Sequence, residues 1–218
     1  MERDFLALKA NQLQMKVDML KDFSDPSKTS EQIFDKLVNY IEITSPENNL
    51  ELLLCQFEYL KSLCQHQHRS LAGKNLRPLL KIMFRILSKN SIDEILLNIV
   101  NACLVQLVVL DIVDFKLLIE TLFEYSKSNN NNDDDDNNQL QQWAKHISDI
   151  VWKTNKVGCL KVLHAIILDK RNDKYNRNLS YECLKELARS KENMDDRAKE
   201  ILLELFCDIQ LKLDCSFD

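Results

Sequence analysis

The chain has 218 residues, 45% of them hydrophobic, and 29 Lys/Arg against 34 Asp/Glu give a formal charge of −5. That is enough apolar material for a sizeable core in one large domain or two small ones. Two glycines (Gly73, Gly158) and three prolines (Pro26, Pro46, Pro78) are too few for hairpin turns, dinucleotide-binding turns or phosphate-cradling loops, which use glycine for positive φ or close backbone approach.

Apolar residues recur with a helical period along nearly the whole chain. A first helix is expected from about Arg3 to Lys21, with Phe5, Leu6, Leu13, Val17 and Leu20 on the face that feeds the core. Ser24, Asp25 and Pro26 stop it, and Thr29 or Ser30 caps a second helix that runs to about Ile43. Ser45 as N-cap and Pro46 at the first helical position open a third, which reaches about Cys64. The fourth begins near Pro78 or one turn earlier and ends at about Ser88. "SIDE", Ser91 to Glu94, reads as a capping box opening a fifth helix. The fifth helix is apolar on nearly all sides and so is expected between neighbours. "LDIVD" restarts the chain at Asp111, and a sixth helix runs to about Tyr125.

A seventh helix is expected over about Leu140–Lys153 and an eighth over about Val157–Leu168. After the polar stretch "DKRNDKYNRN", Ser180 caps a ninth that ends near Arg189. A tenth covers about Asp196–Leu213. Alternate helices start near residues 3, 47, 92, 140 and 180, at intervals of about 44, 45, 48 and 40. Helix pairs at this spacing resemble the HEAT and armadillo arrays, in architecture alone, since no consensus residues beyond "DIVD" at 111 to 114 support it. The resemblance implies an all-α fold, a right-handed solenoid-like stack of about five helical hairpins. An irregular multi-helix bundle is the alternative.

Between the sixth and seventh helices lies "SNNNNDDDDNN". Four consecutive aspartates point in different directions, and a calcium loop needs alternating ligands, a glycine and a closing glutamate. The run reads as a low-complexity, disordered loop over 127–138 within a single domain of residues 1–218, since loop entropy grows slowly with length. "CQHQH" (Cys64, His66, His68), with Cys55 upstream, offers zinc-ligand chemistry at poor spacing: on a helix His66 and His68 point about 200° apart. The seven cysteines fall mostly on apolar helical positions with no framework spacing, which suits reduced thiols in an intracellular protein, cytoplasmic or nuclear. Neither a secretory leader nor a membrane span is expected. The longest uncharged run, Ile95 to Leu110, is 16 residues and contains Asn98, Asn101 and Gln106.

Charge is segregated along the chain. No Asp or Glu occurs from Tyr59 to Ile92, and residues 139–191 hold eleven Lys/Arg against five Asp/Glu. Arg77, Lys81, Arg85 and Lys89 recur every four residues and form one ridge on the fourth helix. Leu79, Leu80, Ile82, Met83, Ile86 and Leu87 make its other face. Such a ridge suits an acidic protein segment or, as the alternative, a phosphate backbone. Net negative charge and the lack of aromatics between the basic residues weigh against nucleic acid. No nucleophile elbow, phosphate loop or His-Glu-x-x-His motif is present. The expectation is a non-enzymatic adaptor or scaffold subunit, without cofactor, metal or small-molecule substrate. It holds an acidic or helical partner segment through Arg77, Lys81, Arg85 and Lys89.

Overall fold

The computed structural model describes residues 2–25, 27–44, 49–71, 76–88, 93–129, 136–154, 157–189 and 196–214. Every regular element among them is an α-helix: α1 Glu2–Ser24, α2 Ser30–Ile43, α3 Leu50–Leu71, α4 Arg77–Leu87, α5 Glu94–Val109, α6 Phe115–Asn129, α7 Asp136–Thr154, α8 Val157–Leu168, α9 Lys174–Arg189 and α10 Asp196–Asp214. The protein is all-α, as the apolar period and the scarcity of glycine and proline require.

Local chemistry sets most of the boundaries. Thr29 caps α2 with a full capping box: its Oγ1 accepts from the Gln32 N–H at 3.3 Å, and Gln32 Oε1 accepts from the Thr29 N–H at 3.0 Å. Asp93, rather than Ser91, caps α5, its Oδ1 accepting from the Ile95 N–H at 2.8 Å and the Leu96 N–H at 3.4 Å. Ser91 lies outside the described residues, as do Ser45 and Pro46. Asp111 ends α5 instead of starting α6. With φ of 53° it takes the left-handed conformation that closes helices, and the Ile112 and Val113 N–H groups both reach back to the Leu107 carbonyl at 3.0 Å.

Four helices extend well beyond their expected bounds. α3 continues past Cys64 to Leu71, because nothing between Gln65 and Arg69 interrupts helical backbone. α9 starts at Lys174, six residues before Ser180. Asp173 supplies the cap, its Oδ1 accepting from the Asn176 N–H at 2.8 Å, and Ser180 is a buried interior residue. α6 and α7 advance into the Asn/Asp run from both sides, so 127–129 and 136–138 are helical, while residues 130–135 of the expected loop lie outside the described residues.

The chain divides into two compact units, Met1–Asp114 and Phe115–Asp218. The division falls at the end of the α5–α6 connection, and the Asn/Asp run sits inside the second unit. In the first, α2 packs on α1, α3 and α4, and α5 packs on α3 and α4. Leu37, Leu53, Phe57, Leu80, Met83 and Leu104 are at the centre of its core, each 0% exposed. In the second, α8 packs on α6, α9 and α10, while α7 packs chiefly on α9. Trp143 of α7 is 1% exposed and meets Tyr125 of α6 edge to face, ring centroids 6.1 Å apart. Both units thus show the same habit: a helix contacts its second neighbour as well as its next one. That habit is compatible with a helical repeat.

Two expected faces are corrected. α5 buries Leu96, Val100, Cys103, Leu104, Leu107 and Val108, but Ile95 and Val109 at its ends are exposed, so it is covered on one broad side rather than all round. On α1, Leu13, Val17 and Leu20 face solvent. The inward contact is made by Met19, which is buried, and by the half-buried Phe23, which stacks on Tyr59 of α3 with centroids 3.9 Å apart.

Candidate partner-binding surface

α4 is the most sharply divided helix in the molecule. Leu79, Leu80, Ile82, Met83, Phe84, Ile86 and Leu87 are all buried, spanning an arc of roughly 200° at 100° per residue. Opposite that arc stand Lys81 and Arg85, both exposed, and Arg77, half-buried at the first turn. Pro78 occupies the first turn too, where its missing N–H is harmless. Three of the four expected residues therefore lie along one line of the helix, about 6 Å apart at 1.5 Å rise per residue. Lys89, the fourth, lies outside the described residues. The helix cannot rotate to hide these cations, because rotation would expose the apolar arc packed on α2 and α5.

Two charged clusters elsewhere tie neighbouring segments together. Asp22 at the end of α1 accepts from Lys28, from Lys36 Nζ at 2.9 and 3.0 Å, and from the Tyr40 hydroxyl at 3.1 Å. Lys28 first, then Lys36, holds its carboxyl far below the ordinary carboxylate range. The cluster ties α1 to α2 and leaves its carboxylate little freedom. Asp169 and Arg171 form a forked pair at 2.7 to 3.1 Å in the α8–α9 turn, with the guanidinium drawing the Asp169 pKa down to about 2.

Among the described residues, the thiols and imidazoles do not come together as a metal site. Cys64 and Cys103 are core residues whose pKa values burial pushes up to about 12, leaving them protonated and inert. Cys103 Sγ donates to the Phe57 carbonyl at 3.4 Å. His66 is exposed and uses Nδ1 on its own helix, 2.8 Å from the Ser62 carbonyl, so Cys64 and His66 point to different surroundings. The His68 side chain lies outside the described residues. His146 packs against Trp143, and burial lowers its pKa toward the neutral form. His164 Nε2 lies 2.8 Å from Asp208 Oδ2, but out of line for a hydrogen bond. Among the described residues, no group of three His, Cys, Asp or Glu side chains is arranged to hold a metal ion, and no helix is long and apolar enough to cross a membrane.

A second surface was not visible in the sequence. Between α6 and α8 runs a groove of about 520 Å³ with Phe123, Val162, Ala165 and Ile166 on its apolar part. Lys116, Glu120, Glu124, Lys127 and Asp169 carry charge along its length. Asn176, 8% exposed, borders one end, with its side-chain oxygen buried and without a hydrogen-bond partner. The residues that build the groove come from stretches about 50 positions apart, which no local period connects.

Fold and surface together define an all-α protein whose helices pack on first and second neighbours and which presents a basic line on one of them. No family model, no curated protein and no solved structure matches the chain.

Proposed function

We propose that the chain is a non-enzymatic adaptor or scaffold subunit of an intracellular complex, built on HEAT/armadillo-type helical pairs in a right-handed stack. It holds an acidic segment of a partner protein along Arg77, Lys81 and Arg85, with Lys89 continuing the line. One observation carries this reading: α4 buries its whole apolar arc and so fixes its cations outward in a row. Arrays of helical pairs work through extended surfaces rather than enclosed pockets. A row of fixed cations steers an acidic partner and sets its register more than it adds affinity.

The α6–α8 groove, within the second unit, suits a separate helical partner segment of its own. Its apolar part matches the buried side of an amphipathic helix, and its mixed charges match the flanks.

Lys81→Glu with Arg85→Glu tests the ridge, and Ala165→Arg, at an exposed position, blocks the groove. Proteins that co-purify with the wild-type chain are compared for all three forms, alongside binding to DNA and RNA oligonucleotides. Loss of a specific protein with the ridge variant supports the reading. Loss of salt-dependent oligonucleotide binding instead assigns the ridge to nucleic acid. An unchanged set of proteins and nucleic acids rejects it.

A further inference from the structure

α1 packs on α2 and touches α3 through Phe23, and both contacts lie on one side of the helix. Its other side carries Ala10, Leu13, Val17, Leu20 and Ser24, all exposed, at spacings of three, four, three and four residues. That alternation is the seam of a coiled coil, with Leu13 and Leu20 at d and Ala10, Val17 and Ser24 at a. Leu13, Val17 and Leu20 are 65%, 37% and 53% exposed. Single exposed leucines are ordinary, but a run of them in one heptad register is a surface built for another helix.

The edges of the seam are basic. At 100° per residue Lys16 stands roughly 80° to one side of its centre and Lys21 roughly 60° to the other. These are the g and e positions, which select the partner of a coiled-coil helix. Neither lysine has an ion-pair partner among the described residues. No Asp or Glu borders the seam between Ala10 and Ser24. The two acids of this stretch stand further round the helix: Asp18 accepts from Gln14 Nε2 at 2.9 Å, and Asp22 is held by Lys28 and Lys36.

Charge selects the occupant. A second copy of α1 is disfavoured in both orientations. In a parallel pair Lys16 of one copy faces Lys21 of the other, and in an antiparallel pair the two Lys16 edges run together, as do the two Lys21 edges. We propose that α1 is one strand of a heterotypic coiled coil, and that its partner is a helix of another protein with apolar a and d positions and Glu or Asp at its e and g positions. Lys16 and Lys21 then meet carboxylates on both sides of the seam. α1 is already helical against the first unit, so only the incoming segment has to order. The seam is little more than two heptads long, so binding is weak and salt-sensitive, and the edge charges set specificity more than strength. None of the α4 ridge residues takes part, so this interface is independent of the role proposed for the ridge.

Two synthetic peptides, each about four heptads long, are the probes. Both carry Val at a and Leu at d; one has Glu and the other Lys at every e and g position. Fluorescence anisotropy of each labelled peptide is followed as the full chain is added in reducing, low-salt buffer. The wild-type chain should bind the Glu peptide at least about tenfold more tightly than the Lys peptide, with the difference fading as salt rises. Lys16→Glu with Lys21→Glu should invert that preference. Leu13→Asn with Leu20→Asn should bind neither peptide while keeping the wild-type helical circular-dichroism signal. Lys81→Glu with Arg85→Glu should bind the Glu peptide as the wild type does. A wild-type chain that binds neither peptide at about 1 mM overturns the proposal. So does Glu-peptide binding that ignores the Lys16 and Lys21 substitutions, or that is lost in the α4 variant, which would assign the peptide to the ridge. A wild-type mass above 25.6 kDa in analytical ultracentrifugation that returns to the monomer's in Leu13→Asn with Leu20→Asn would give the seam to a second copy, and overturns it as well.

Discussion

α4 and α1 both carry apolar and basic residues at helical spacing, yet they use them in opposite ways. In α4 the apolar arc is wholly buried and the cations stand outside it. In α1 an apolar stripe stands outside, with lysines at its edges. The difference lies in how many apolar stripes each helix has. A helix with one stripe has one way to pack. A helix with two buries whichever meets a neighbour first, here Met19 and Phe23 against α2 and α3, and leaves the other for something else.

The largest effects should come from the buried arc. Phe84→Ala, at a side chain 1% exposed, should cost roughly 3–5 kcal/mol in denaturant unfolding, and Leu80→Ala about 2–5 kcal/mol. Leu13→Gln and Leu20→Gln on α1 should each change stability by less than about 0.5 kcal/mol. Equal costs at Leu13 and Leu80 would remove the contrast between the two helices.

An intermediate effect is expected where α1 is tied down. Asp22→Asn keeps the shape but loses the charge that holds Lys28 and Lys36, at about 1 kcal/mol, since these pairs are partly solvated. Asp22 ionises well below its ordinary 3.8 in the folded chain, so the unfolded chain takes up this proton at higher pH. The stabilisation is therefore complete above about pH 5 and is lost as pH falls through about 4 and below. Acid titration of stability should be shallower in Asp22→Asn over that range. An identical acid limb would mean that the cluster adds nothing to the α1–α2 attachment.

The ridge itself should contribute little to stability. Lys81→Glu with Arg85→Glu should shift the thermal midpoint by no more than a few degrees, because both side chains are exposed. A fall of more than about 10 °C would show that these side chains support the fold.

What the sequence made legible follows the same division. The ten helices, a cap for α2 at Thr29 or Ser30 and both faces of α4 could be read directly, since each rests on a local signal such as a single apolar stripe or a capping residue; only the structure selects Thr29, through its reciprocal bonds with Gln32. The start of α9 was misplaced because its first turns, from Lys174 to Arg177, are polar, and Ser180 has the look of a cap. Asp173 performs that role through the Asn176 N–H. The inner face of α1 was misassigned because two stripes compete and only the neighbours decide between them. The α6–α8 groove depends on packing between distant segments and left no trace in any window of the chain. On the candidate surface, Arg77, Lys81 and Arg85 were legible because a four-residue spacing on a one-sided helix has a single geometric meaning.

The proposed role of the α4 ridge is to dock an acidic protein segment. The most direct measurement compares the association rate of Lys81→Glu with Arg85→Glu and of the wild-type chain, using a protein partner purified with the wild type, across a range of salt concentrations. A ridge that docks the partner predicts at least a tenfold slower association for the variant at low salt, narrowing as salt rises, with little change in thermal midpoint. Equal association rates at low salt, from a variant that remains folded, would contradict it.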